Sequence, residues 1–385
     1  MTNRKHTTIL YNYGGGMRGL IPAHIMSHIE DRTGLAMTDL FDVFSGPSTA
    51  SILNAALNIP SPHKPDRPRF QAKQMVKFYE REGIKIFPPD RFRDLRALLH
   101  DVNNRTIKIG QLEHLFRHGH YSPDYLVKSL ARLYGDHTIS NTIKSIVIPT
   151  YNIDGSTYAP KEDENTITDN GGYAVWMKNM KVDPAKTHTT DVKLVDAVAA
   201  SAAAPSFFPC HNFTADGHNY TGIDGSIYDN PCVSYHGAIR RHLPTNSDVT
   251  MVMLGTGNIH RSFTEKKWNS YGGLGIVDPV NNTPLINIML HASETALMEA
   301  FHEYIDGNAH IFNKRLIDHK DGPDLELDNA EPENLKRLKN FAFELIEEQT
   351  KELDDVCQTL VQHHDDQQKE EPKKKKIFSF FTAKN

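Results

Sequence analysis

Two short turns near the start of the chain hold residue types that could act on a carbonyl. In Gly46-Pro47-Ser48-Thr49-Ala50 a serine follows a sharp turn. Phe41, Val43 and Phe44 before it form the apolar run of a buried strand, and Ser51 to Asn58 after it reads as a helix with Ile52, Ala55 and Ala56 on one face. A serine held between a strand and a helix has its hydroxyl lifted out of the sheet, with a helix N-terminus close behind. That is the geometry of a nucleophile elbow. The usual pattern is Gly-x-Ser-x-Gly. Ala50 stands where the last glycine would be, so a plain turn is the competing reading of this pentapeptide.

The second turn is Gly14-Gly15-Gly16-Met17-Arg18-Gly19. Consecutive glycines let backbone N–H groups approach a reacting carbonyl with no side chain in the way. The helix that follows favours negative charge at its N-terminus. Gly14, Gly15 and Gly16 are therefore candidates for an oxyanion hole, with Arg18 as a positive charge that braces the loop or the oxyanion. Gly14, Gly16 and Gly19 also satisfy the dinucleotide fingerprint G-x-G-x-x-G. That motif requires an acid ending the second strand. Here that strand ends in Ser45-Gly46-Pro47-Ser48, while Asp42 lies inside it and is expected to point at the sheet face. Nucleotide binding is accordingly disfavoured.

The elements around these turns alternate. Thr7 to Tyr13 reads as a strand, Leu20 to Asp31 as a helix closed by Thr33-Gly34, and then come the elbow strand and its helix. Alternation of this kind implies a mostly parallel sheet with helices on both faces, and functional residues gather at the carboxyl ends of its strands. Both turns sit at such ends. Residues 60–140 open with a proline-rich stretch and contain helical segments but no motif. They read either as a substrate-shaping lid or as a decorating helical layer. Strand character returns at Ser145 to Tyr151, Gly171 to Trp176, Tyr220 to Asp224 and Asp248 to Leu254. Leu194 to Ala204 reads as an alanine-rich helix. Ile286 to Tyr304 is read as a helix, and Asn334 to Leu360 as a long, interrupted one.

Composition limits the function classes. Of 385 residues, 38% are hydrophobic, enough for a sizeable core, and the net charge of −5 gives no footprint for nucleic acid. Three cysteines without a metal or disulfide spacing indicate a reducing compartment. The start of the chain lacks the apolar run of a cleaved export signal. Residues 363–385 read as a disordered charged tail, ending in four lysines (373–376) beside Phe378, Phe380 and Phe381. Such an end suits a membrane surface, a partner-binding segment or a solvated basic tail.

Four stretches, in order, resemble the patatin-like phospholipase family, bacterial lipid acyl hydrolases among them. Tyr13 to Gly19 resembles its Asp-Gly-Gly-Gly-x-Arg-Gly loop, and Gly46 to Ala50 its nucleophile motif. Ala200 to Pro209 is similar to its alanine-rich helix ending in proline and aromatics. Asp224-Gly225-Ser226 resembles the Asp-Gly-Gly/Ala motif of its catalytic aspartate, and Leu254 to Gly257 is a softer fifth match. Three positions depart from the pattern: Tyr13, Ala50 and Ser226. By itself Asp224-Gly225 is a common turn pair, so the role of Asp224 comes from the resemblance.

The resemblance implies a three-layer α/β fold over residues 1–315; outside it, 316–362 reads as a helical C-terminal extension. It implies a Ser-Asp dyad of Ser48 and Asp224, an oxyanion loop of Gly14, Gly15, Gly16 and Arg18, and no metal or cofactor. The substrate would be phospholipid or another acyl lipid at a membrane surface. The expected location is cytoplasmic and peripheral at membranes, and delivery into a host cell is compatible with it. A patatin-like scaffold that binds membranes or partners without turnover is the alternative.

Overall fold

The computed structural model describes residues 6–88, 121–155, 171–205, 207–258, 263–276, 308–316 and 322–382, together with residues 284, 285, 288 and 301; from 370 onward it describes the backbone only. The helix expected at 286–304 lies almost wholly outside these residues, as does the middle of the 60–140 region.

The centre of the molecule is a nine-stranded sheet. Strands β1 (His6–Asn12), β2 (Val43–Ser45), β3 (Ser145–Asn152), β8 (Asp248–Leu254) and β9 (Ala309–Phe312) run parallel, in the order β3-β2-β1-β8-β9. Their apolar runs are buried on both faces, as a parallel core demands. Leu10, Phe44, Ile146, Ile148, Val252 and Leu254 enter one core, whereas Ile9, Tyr11, Val43, Val147, Met251 and Met253 enter the other. Each such side chain contributes about 1.5–3 kcal/mol of transfer free energy, so the sheet is a rigid platform for whatever projects from its ends.

Beyond β3 the sheet continues antiparallel. β4 (Tyr173–Met180) pairs with β3, β5 (His188–Thr189) with β4, and the hairpin of β6 (His211–Ala215) and β7 (His218–Asp224) joins through β7. The parallel core is the one expected from sequence. The antiparallel flank is an addition, because hairpins contribute no βα alternation to read.

Helices α1 (Leu20–Thr33), α2 (Thr49–Leu57), α3 (Ala72–Ile86), α4 (Asp124–Tyr134) and α5 (Leu194–Ser201) share the first core. Gly34, left-handed at φ 70°, closes α1 with its N–H on the Glu30 carbonyl. Two C-terminal helices, α6 (Pro332–Glu348) and α7 (Thr350–Thr382), add Leu338, Phe341, Leu345, Leu353, Val356 and Leu360 to the same core. The interruption expected in this stretch falls at Gln349. The other face carries the short helical turns between Pro231 and His242. Among the described residues, no helix is long and apolar enough to cross a membrane.

Two sequence expectations are corrected at the bottom of the sheet. Asp42 precedes β2 and does not lie within it. Its carboxylate accepts from the Thr8 N–H (3.2 Å), Gln367 Nε2 (3.0 Å) and Lys144 Nζ (3.3 Å), and pairs with His363 Nε2 at 2.8 Å. Where a disordered tail is expected, helix α7 therefore continues through residues 363–369, with His363 buried against the sheet. A histidine seated on a buried carboxylate gains a fixed partner that composition alone does not reveal.

Candidate active site

The site forms where two strands meet head-on. β3 pairs in parallel with β2 at Ser45↔Val147, and three residues further on pairs antiparallel with β7 at Asp224↔Thr150. β2 and β7 thus run towards each other along one edge of β3. The chain leaves β2 into the elbow and leaves β7 into a 3-10 turn, Gly225–Ile227. Ser48 and Asp224 are released at the same place, close enough for the Ser48 hydroxyl to favour the ionised form of the Asp224 carboxyl group.

The elbow is strained and heavily braced. Ser48 sits at φ 57°, ψ −130°, a region that side-chain-bearing residues seldom occupy and that costs on the order of 1–3 kcal/mol. Its N–H donates to the Ser201 carbonyl (3.2 Å) and to Ser201 Oγ (3.1 Å). Asn54 Nδ2 reaches back to the Ser45 carbonyl at 2.8 Å and its Oδ1 accepts from Asn12 Nδ2 at 2.6 Å, tying α2 to the ends of β2 and β1. Gly46 has φ 140°, and a Cβ there would overlap the Asn12 carbonyl and come within 2.8 Å of Ala50 Cβ. The methyl at position 50 therefore fits because position 46 has none. The departure at Ala50 leaves the elbow intact.

The glycine loop lies alongside. A Cβ on Gly14 would overlap Ser226 Oγ and stand 3.3 Å from Ser48 Cβ, which puts Gly14 against the nucleophile candidate. Thr256, beyond the end of β8, donates its hydroxyl to the Gly14 carbonyl at 2.7 Å. Gly16 is left-handed at φ 55°, and the Leu327 carbonyl stands so close to its Cα that any Cβ would overlap it. That carbonyl accepts from Met17 N–H at 2.7 Å, and Arg18 N–H donates to the Gly15 carbonyl at 3.0 Å. The Arg18 side chain is buried at the foot of the loop. Among the described residues, the N–H groups of Gly14, Gly15 and Gly16 meet no acceptor. The same holds for Thr49, the first helical residue after Ser48. Free N–H groups at a helix N-terminus are suited to a developing oxyanion.

Burial raises the Asp224 carboxyl from its ordinary value of 3.8 to about 6, partly offset by hydrogen bonds from Ser48 and Ser226. Ser226 N–H donates to Asp224 Oδ1 at 2.8 Å. A second acid, Asp229, hangs from the same turn on the opposite face of the sheet. It accepts from Tyr11 Oη (2.9 Å) and Trp176 Nε1 (3.1 Å), and burial raises it to about 7. Nearby Ser234 Oγ lies 2.6 Å from Ser45 Oγ at the end of β2. Among the described residues, no group of three or more His, Cys, Asp or Glu side chains is arranged to hold a metal ion.

A family model for patatin-like phospholipases matches residues 13–235, more than half of the chain, and the match spans the loop, the elbow and Asp224. The chain belongs to the patatin-like phospholipase family. Patatin-like protein 1 of Arabidopsis thaliana is 26% identical over 90% of this chain and 83% of its own length. Patatin-like protein 2 of the same plant is 28% identical over 88% and 82%. Among solved structures, VipD from Legionella pneumophila overlays with a TM-score of 0.31 at 12% identity, over 88% of this chain and 67% of that one, too loosely to bear on the site. Patatin-like phospholipases are lipid acyl hydrolases, and membership assigns that general chemistry to this chain.

The structure brings Ser48, Asp224 and Gly14 together and keeps Gly15, Gly16 and Arg18 in the adjoining loop. Sequence reading missed the Thr49 N–H, the Ser201 brace, the Asn12–Asn54 tie and Asp229. Thr49 had a local signal, since the residue after an elbow nucleophile is a recurrent oxyanion donor. The others had none, because each acts across a sequence separation of more than 40 residues.

Proposed function

We propose that this patatin-like protein hydrolyses fatty-acyl esters of membrane lipids, as a phospholipase A would, through a dyad of Ser48 and Asp224. One observation carries the reading: a strained serine at an elbow, set by the sheet beside a buried aspartate whose carboxyl burial raises to about 6. A serine hydroxyl is a weak nucleophile until a base takes its proton. Ionised Asp224 takes that proton as Ser48 Oγ attacks the ester carbonyl. The oxyanion is held by N–H groups of Gly14, Gly15 and Gly16 together with Thr49, and the Arg18 cation supports the loop beneath. Asp224 then returns the proton to the leaving alcohol. Water, deprotonated by the same carboxylate, cleaves the acyl-serine and releases fatty acid.

The test is fatty-acid release from mixed phospholipid vesicles, wild type beside Ser48→Ala. Release that disappears with Ser48 supports the dyad; release that persists overturns it. Binding without turnover is the second reading. It is favoured by the Leu327 carbonyl, which stands over Gly16 and occupies the Met17 N–H. A fluorophosphonate probe separates the two, since only an activated Ser48 is labelled.

A further inference from the structure

Beside the elbow is a small cleft of about 30 Å³. Three of its lining residues adjoin the site: Gly16 of the loop, Thr49 next to Ser48, and Ala202 next to Ser201. Its walls are Met17, Ile52, Phe78, Ile86, Phe87 and Phe208. Among the described lining residues, the only polar side chains are Thr49 and Tyr79, and they bond to each other. None of the described lining residues is charged, so they offer a phosphate head group no counter-ion, whereas a hydrocarbon chain would lose nothing by lying against them.

Two of its lining residues, Gly83 and Met17, lie against each other. Gly83 of α3 shows bare backbone, and the terminal methyl of Met17 lies directly on it: a Cβ at position 83 would overlap that methyl and come within 2.9 Å of the Met17 sulfur. Met17 is the residue after Gly16, so a side chain that lines the cleft is attached to the loop that would hold the oxyanion. Methionine has three rotatable bonds and moves at low cost. The present cavity has room for about two water molecules, so a long chain needs lining side chains to move aside, and Met17 is the most flexible of them.

We propose that this cleft takes the fatty-acyl chain of the substrate, and that Met17 on Gly83 sets how long a chain it accepts. The inference rests on the acyl-hydrolase reading above and adds its chain selectivity. Gly83→Ala props Met17 into the cleft and discriminates against long chains. The substitution is tolerable for folding, because the added methyl meets a flexible side-chain end and alanine is the better helix residue. Met17→Ala opens the cleft and favours long chains.

The experiment compares kcat/KM for p-nitrophenyl palmitate with that for p-nitrophenyl butyrate. The palmitate-to-butyrate ratio is expected to fall at least about tenfold in Gly83→Ala and to rise in Met17→Ala, since pocket contacts of one methylene discriminate by about 10–200-fold. A ratio unchanged in Gly83→Ala overturns the proposal. A second measurement is independent of turnover: a fluorescent long-chain fatty acid is titrated into the Ser48→Ala protein with and without Gly83→Ala. Binding weakened about tenfold by the second substitution supports the cleft, and equal binding overturns it. If the wild-type protein cleaves neither ester while fatty-acid binding still responds to Gly83→Ala, the hydrolase reading falls and the cleft stands.

Discussion

Replacing Asp224 by asparagine should make the protein more stable and inactive. The carboxyl is buried, with an ordinary value of 3.8 raised to about 6. Between those two pH values the folded chain holds a proton that the unfolded chain has released. Stability therefore falls as pH rises through this window and stays lower above it. The gap of about two units, at about 1.4 kcal/mol each, sets an upper figure of roughly 3 kcal/mol at neutral pH. Asparagine keeps the shape and an acceptor for the Ser226 N–H but carries no charge to desolvate. Urea unfolding of wild type and Asp224→Asn, from about pH 4 to pH 8, measures the difference directly. The two should coincide near pH 4, and the variant should gain stability up to about pH 6 and then level off. Activity should drop by about 10²–10⁴-fold, the usual worth of a general base, and wild-type kcat/KM should rise with pH through about 6 as Asp224 ionises. A variant no more stable than wild type at pH 8, or one that keeps full activity, would refute the account of Asp224 as a base held against its solvation.

Substitutions at three further positions probe the frame around the site. Gly46→Ala must fit a methyl against the Asn12 carbonyl at φ 140°; a loss of at least about 2 kcal/mol is expected, read by thermal melting. Asp229→Ala removes the acceptor of Tyr11 Oη and Trp176 Nε1, which should cost about 1–3 kcal/mol per buried donor deprived of that acceptor. Asp229→Asn should instead flatten the stability loss that the raised carboxyl, at about 7, brings as pH climbs towards neutrality; a pH-stability curve distinguishes the two. His363→Ala removes one of the two side chains by which helix α7 holds Asp42, leaving Gln367. Burial opposes ionisation of Asp42, but the hydrogen bond from His363 and the Lys144 charge more than offset it and hold the carboxyl below its ordinary range. Its stabilisation is present above 3.8 and is lost as pH falls through the folded value. The variant should cost about 1.5–3 kcal/mol at pH 7 and blunt the acid-induced loss, as followed by circular dichroism.

The sequence by itself determined what is local. The apolar runs of β1, β2, β3 and β8, the glycine loop, the Gly46–Pro47 turn and the alanine-rich α5 are each set by residue types within a few positions of one another, so periodicity and turn chemistry reveal them. Those same elements set the parallel order that puts Gly14 and Ser48 at neighbouring strand ends. Asp224 was legible only as a turn residue with a family counterpart. What makes it a partner for Ser48 is the antiparallel docking of β7 on β3, at the point where β2 stops. Strand register between segments 74 residues apart (Thr150 and Asp224) and 102 apart (Ser45 and Val147) is decided by pairing in the folded sheet, and no local pattern encodes it. Tertiary structure alone also brought Leu327 over Gly16, His363 onto Asp42 and Met17 onto Gly83. Each is a contact between surfaces that exist only once the core has closed, and desolvation, which raises Asp224 and Asp229, arises at that same step.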